Sequence, residues 1–220
     1  MPLQRRYSVA YMVAYMVVLL LLIFPIAFAT TQTIILKQDQ SDASCGPSAV
    51  YPIWWQTFKI PQRCKIEVVE LYLMKNGTVT GFTLGFYYWN TSANTLGDKI
   101  YEQSFSSIPT TYTKTNYTLS SPVQLNNSLT TYALYIKQLG GSTEYDCIFL
   151  KISTANPYSD GIFYGLINGA PDPKNDYDLY FILYGQLLAD PVSIVYEFLP
   201  VIILIAMLGV ALSMFKDLQK

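Results

Sequence analysis

Two long apolar runs, one near each end of the chain, constrain this sequence more than any other feature. Tyr7 to Ala29 is 23 residues without a formal charge, and Phe198 to Phe215 is 18. As helices they would be about 35 Å and about 27 Å long, against a bilayer hydrocarbon core of roughly 30 Å. The sequence therefore predicts an N-terminal transmembrane anchor in residues 1–30. It predicts a C-terminal transmembrane anchor with a short internal tail in 198–220. Arg5 and Arg6 precede the first run, and Lys216 and Lys220 follow the second. Cationic flanks stay inside, so the expected topology is two-pass, with both termini internal and residues 31–192 external. The rival reading of the first run is a cleaved export signal ending at Ala27-Phe28-Ala29. Its apolar length exceeds that of a usual signal core, which favours a retained anchor.

Composition narrows the function. Only 13% of residues are charged, and the formal net charge is −1, so there is no basic field to hold nucleic acid. His is absent, which removes imidazole as a general base and as a metal ligand. Three cysteines are too few for a four-thiolate metal site. There is no Gly-x-Ser-x-Gly elbow and no phosphate loop. The expectation is a protein that is not an enzyme, with no catalytic residue, cofactor or metal. Residues 31–192 hold 10 Lys/Arg and 13 Asp/Glu, so Tyr, Thr, Ser and Asn supply most of the polarity there. Such a surface suits an acidic medium, in which carboxylates lose charge while cations keep theirs.

The segment between the apolar runs reads as mainly β. Residues 31–49 read as a stalk with room for a short strand, 50–185 as a β-sandwich ectodomain and 186–197 as a return stalk. Lys65–Lys75 alternates with period two, with a bulge expected near Glu70. Asn76-Gly77 then predicts a type I′ hairpin to Thr78–Trp89. Further strands are expected at Val50–Phe58, Lys99–Phe105, Tyr112–Leu119, Thr131–Gln138, Asp146–Ile152, Gly161–Ile167 and Tyr177–Tyr184. Eight or nine strands joined by turns are the pattern of an antiparallel sandwich or jelly roll.

Four stretches carry a resemblance: LYLMKNGTVTGFTLGFYYW, SSPVQLNNSLTTYALYIKQ, SDGIFYG and YDLYFILYG. Together they resemble a carbohydrate-binding-module-like jelly-roll domain over roughly residues 50–185. With an apolar run on either side, the layout resembles membrane-anchored virion proteins of archaeal spindle-shaped viruses. The resemblance implies a structural protein of a viral envelope that anchors or adapts a terminal attachment structure. Its expected partners are the lipid membrane, copies of itself and other envelope or attachment proteins. The alternative is an archaeal cell-surface protein that binds glycans or mediates adhesion.

The candidate residues follow from the same reading. Asn76, Asn90, Asn116 and Asn126 head N-glycosylation sequons. Cys45 and Cys64 are the candidate disulfide, which would staple the stalk to the first long strand and leave Cys147 over. Trp54, Trp55 and Trp89, with Tyr87 and Tyr88 beside them, are either a sugar-stacking platform or core aromatics. The acidic stretch Asp172 to Asp178 reads as a turn in preference to a calcium loop. Glu67 and Glu70 read as solvated edge charges in preference to a glycosidase pair.

Overall fold

Period-two alternation of apolar and polar residues builds the molecule. In the computed structural model the described residues are 32–45, 53–126, 128–141, 146–167, 170–188 and 198–209. The chain divides into two units, Met1–Gln32 and Thr33–Lys220, and the second carries the strands. Among the described residues these are β1 (Thr33–Gln38), β2 (Ala43–Cys45), β3 (Ile53–Phe58), β4 (Cys64–Lys75), β5 (Gly81–Asn90), β6 (Thr95–Phe105) and β7 (Thr113–Leu125). The order continues with β8 (Tyr132–Leu139), β9 (Ile148–Ser153), β10 (Phe163–Ile167), β11 (Ala170–Lys174), β12 (Asp178–Leu179) and β13 (Phe181–Leu187).

All the pairings are antiparallel and fall into two sheets, so the expected mainly-β sandwich is the fold observed. The seven-stranded sheet runs β1-β13-β4-β9-β12, with β7 also on β4 and β2 also on β9. The six-stranded sheet runs β11-β10-β3-β8-β5-β6. The inner faces supply one core. Ile66, Val69, Leu71 and Leu73 of β4 meet Phe82, Leu84 and Phe86 of β5, Tyr132, Leu134 and Ile136 of β8, and Phe58 and Phe181. Each such side chain taken fully out of water contributes roughly 1.5–3 kcal/mol.

One buried polar knot ties the sheets together. Gln56 of β3 donates to Asp178 Oδ1 of β12 at 3.0 Å and accepts from Leu179 N at 2.8 Å. Tyr158 N donates to Asp178 Oδ2 at 2.8 Å. Asp178 and Gln56 are both fully buried, and burial raises the Asp178 carboxyl against the lowering effect of these two donors. Buried polar groups are tolerated because each finds a partner.

Several expectations need correction. The Asn76-Gly77 pair does not make a hairpin, because β4 and β5 belong to different sheets. Gly77 has the positive φ (72°) that the signal implies. However, Asn76 exchanges both backbone hydrogen bonds with Cys147 of the β9 approach, and Thr78 N is held by Asp146 Oδ1. A Cβ on Gly77 would lie 1.7 Å from that Oδ1. The turn is therefore a crossover pinned by the 146–147 segment. The bulge in β4 falls between Ile66 and Val68, against Tyr184 and Gly185 of β13 and ahead of Glu70. Residues 33–38, expected in a stalk, form β1 and pair with β13, so this part of the stalk is an integral strand of the sandwich.

The two-pass membrane placement does not stand. Among the described residues no helix is long and apolar enough to cross a membrane. Residues 198–209, the described part of the second apolar run, are helical and span only about 18 Å. The first run, Tyr7–Ala29, lies outside the described residues.

Candidate functional site: the two outer faces of the sandwich

A strand with one face in the core turns its other face outward, and here both outward faces are rich in aromatics. On the six-stranded sheet, β8 is buried on both sides. Tyr132, Leu134 and Ile136 point into the core, while Ala133 and Tyr135 join Trp55 of β3 and Tyr164 of β10 in a second cluster. Trp55 and Tyr164 stack at 5.6 Å with their planes 14° apart, and Trp89 lies 4.9 Å from Tyr164 and 6.5 Å from Trp55. Trp89 shares this face with Tyr87 by alternation along β5, which keeps its register with β8 through Tyr88, and the extra residues of β6 on both sides of Tyr87 bend the β5–β6 turn. The β5–β6 turn is then fastened by Tyr164, whose hydroxyl donates to Asn94 Oδ1 at 2.8 Å. Asn94 has φ of 53°, a conformation that Asn accepts more readily than most residues.

The rest of this face is polar. Tyr87 packs on Tyr135 at 5.3 Å and donates its hydroxyl to Glu102, which also accepts from Lys99 at 3.1 Å. Gly85 makes room for this crossing. A Cβ there would sit 2.9 Å from the Tyr87 ring and 3.1 Å from Glu102 Cγ. Burial pushes the Glu102 carboxyl up, but the Tyr87 and Lys99 donors outweigh it and hold the group below the ordinary value.

Trp54, Trp55 and Trp89 are therefore not one platform. Trp54 faces the main core at 4% exposure, and Trp55 lies under the hairpin turn at 3%. Successive residues of a strand point to opposite faces, so the Trp54-Trp55 pair is split by the pleat itself. Trp89 is half-buried and Tyr88 is 44% exposed.

The outer face of the seven-stranded sheet is different. Glu70 of β4 accepts from Tyr180 at 2.6 Å and from Tyr184 at 3.1 Å. Tyr72 meets Tyr180 and Tyr112 edge to face, at 5.5 and 5.9 Å. Lys114 Nζ lies 4.9 Å from the centre of the Tyr180 ring, and Lys151 Nζ lies 4.3 Å from that of Tyr112. Glu67, displaced by the β4 bulge, accepts from Gln186 at 2.9 Å on the same side. Burial, then the Glu70 hydrogen bond, raises the Tyr180 and Tyr184 hydroxyls. Tyr180 is buried beneath its neighbours, whereas Tyr72, Tyr112 and Tyr184 are half-buried. Sequence reasoning does not single out this array. Its signal is the outward set of KIEVVELYLMK, in which Glu70, Tyr72 and Met74 alternate with Val69, Leu71 and Leu73.

The remaining candidates disperse. Asn76, Asn90, Asn116 and Asn126 are all exposed. Asn90 Oδ1 closes its own turn by accepting from Ser92 N and Ala93 N. Asn116 sits in β7, opposite Glu70. The Cys45–Cys64 disulfide is not formed. Cys45 ends β2 against Leu150, whereas Cys64 begins β4 between Leu125 and Leu187. Burial pushes the Cys45 and Cys64 thiols up to about 12. Asp172 pairs with Lys174 on β11, and no metal-binding cluster occurs among the described residues. An open groove of about 560 Å³ beside β1 is lined by Ile34, Leu36, Ile60, Pro61 and Tyr158. Tyr158 seams its base by bonding the Lys59 backbone in both directions.

No family model and no curated protein matches the chain. Among solved structures, it is similar to the clostridial cysteine protease Cwp84 after propeptide cleavage. The TM-score is 0.50 at 8% identity, covering 71% of this chain and 40% of that one. A second structure, of the cysteine protease and lectin-like domains of Cwp84, a surface-layer-associated protein of Clostridium difficile, gives 0.48 at 9% identity over 71% and 36%. Infectious bursal disease virus, Gx strain, gives 0.29 at 13% identity over 74% and 37%. The chain spans well under half the length of each of these proteins. At 8% identity and a TM-score of 0.50 the first likeness is one of fold: an antiparallel β-sandwich.

Proposed function

We propose that this chain is a non-enzymatic structural protein of a virus particle, whose sandwich is a contact module for a terminal attachment structure. The observation that carries the contact role is the tyrosine face around Glu70. Half-buried tyrosines with part of each ring left open are a composition enriched in protein contact surfaces, and here Glu70 and two lysines hold the rings in place. The virion assignment rests on the resemblance of the overall layout, a jelly-roll-like domain with an apolar run on either side. A cysteine–histidine pair, one usual activation of a thiol nucleophile, is not available to this chain. The chain has no His, and the thiols of Cys45 and Cys64 are pushed away from the reactive thiolate.

The test is fractionation of particles from cell material on a density gradient, followed by native mass spectrometry of the extracted protein. The expected result is enrichment in particles as part of a defined assembly. A monomer found only with cell material would overturn the reading. A second reading, glycan binding, is favoured by Tyr88 and the rim of Trp89, which leave aromatic surface open at the β5–β6 turn. A glycan panel with Trp89→Ala as control separates the two, because the structural role requires no sugar ligand.

A further inference from the structure

We infer that the partner of the tyrosine face is a second copy of this chain, stacked face to face on the seven-stranded sheet about a two-fold axis. This rests on the proposed contact role and specifies its face and occupant.

The charge pattern selects the partner. Glu67 and Glu70 lie toward the Ile66 end of β4, while Lys114, in register with Tyr72, and Lys151, over Tyr112, lie toward the other end. Lys65 lies two residues beyond Glu67, opposite Gln186, and Lys37 is already paired with Asp39 at 2.9 Å. A strongly acidic or strongly basic partner meets no single-sign field here. An inverted second copy sets lysines over Glu67 at both ends of the contact, as an isologous interface requires.

The size is adequate. β4 has 12 residues, about 40 Å at ~3.4 Å per residue, and β1, β13, β4 and β7 stand side by side across about 19 Å. β1 and β13 are shorter, at 6 and 7 residues, so the four strands cover roughly 600 Å², at the lower end of the ~600–1,000 Å² per partner of a standard interface. The rings are held by edge-to-face contacts, cations and Glu70 before any partner arrives, so ordering them on contact costs little.

The edge of the sheet at β7 favours stacking over strand addition. Between Thr118 and Val123 the strand leaves register with β4. There Ser120 N already donates to Gln103 Oε1 at 2.7 Å and to the Tyr101 hydroxyl at 3.0 Å. A strand whose outward donors are satisfied is a poor template for another strand.

The test uses the full-length protein. Asn116→Cys and Thr118→Cys, both at exposed outward positions of β7, are treated with a short bis-maleimide. They are compared with Thr83→Cys on the opposite sheet. The native thiols are buried or shifted up and serve as background. Sedimentation then compares wild type, Tyr72→Ala, Lys114→Glu, Glu67→Lys, and an equimolar mixture of the two charge variants. The expected result is cross-linked dimer from the β7 positions and not from Thr83→Cys. Each single variant should raise the dimer Kd at least about tenfold. The mixture should recover wild-type affinity. In a mixed dimer the new carboxylate at position 114 of one copy meets the new ammonium at position 67 of the other, while the native pair forms at the far end. Self-association without recovery on mixing, or cross-linking through Thr83→Cys, overturns the inference and leaves a contact role for another face. A monomeric wild type that still co-fractionates with particles also overturns it, leaving a contact with a different protein. Loss of both dimer and particle association overturns the proposed function with it.

Discussion

The two outer faces of the sandwich use the same residue types to opposite ends. On the six-stranded sheet the β5–β6 turn folds back over Trp55 and Tyr164, and the aromatics become a second core. On the seven-stranded sheet, no described hairpin covers Tyr72, Tyr112 and Tyr184, and their ordering comes from Glu70 and two lysines. The difference begins in β6, whose extra residues against β5 on both sides of Tyr87 curl the β5–β6 turn over the sheet, while β4 has its extra residue at Glu67, facing β13. A tyrosine count alone does not distinguish stabilising from contact-making aromatics; the path of the neighbouring hairpin does.

This contrast is open to breaking, most sharply by truncating one ring on each face. Trp55→Ala, at 3% exposure, should cost about 3–5 kcal/mol in chemical denaturation, as buried Trp truncations do. Tyr72→Ala, half-buried, should cost about 1 kcal/mol in the same assay while abolishing assembly. Equal losses of stability would mean that the faces do not differ in kind.

The seam between the sheets should respond next. Gln56→Leu leaves Asp178 Oδ1 and Leu179 N without partners and should cost about 1–3 kcal/mol. The same seam sets a pH dependence. Burial raises the folded-state Asp178 carboxyl above its ordinary 3.8, so the folded protein takes up this proton before the unfolded chain does. Its contribution therefore grows as pH falls through the folded value toward 3.8 and shrinks as pH rises. Asp39 is held low by Lys37, Asp42 by Thr154 and Glu102 by Tyr87 and Lys99. They work in the opposite sense, but all three are exposed and screened. Unfolding midpoints should rise from neutral toward about pH 4, and Asp178→Asn should flatten that rise. A wild-type midpoint that falls steadily over the same range would contradict it.

A smaller effect tests the fastening of the covered face. Asn94→Ala removes the acceptor for Tyr164 and should cost about 1 kcal/mol. Amide exchange should quicken in residues 91–96, with no change in the tyrosine face or in assembly. The smallest effect concerns the thiols. With Cys45 and Cys64 pushed up to about 12, neither should be alkylated at neutral pH without denaturant, and reduction should leave stability unchanged.

Much of the strand pattern was legible because alternation is a local property. β4, β6, β8 and β9 lie within a few residues of where Val, Ile, Tyr and Leu at every second position put them. The pairing was not legible. Asn76-Gly77 satisfies the φ requirement of a hairpin, yet Asp146 and Cys147, about seventy positions away, occupy the place of the expected partner strand. β1 was obscured because TIILKQ is short and follows an apolar run, and only its pairing with β13 makes it part of the sandwich. Length of apolar sequence likewise misled on the second expected membrane crossing, where 198–209 is the helix described. The tyrosine face is not legible in the sequence because Tyr72, Tyr112 and Tyr180 come from separate segments, and the fold alone brings them together around Glu70.

The claim that the open face is where this protein meets its partner is tested most directly by footprinting its tyrosines. Hydroxyl-radical labelling of the assembled and the dispersed protein should show Tyr72, Tyr112 and Tyr184 protected on assembly, with Tyr88 and Trp89 labelled equally in both. Protection of Tyr88 and Trp89, with the Glu70 tyrosines unchanged, would contradict it and move the contact to the six-stranded sheet.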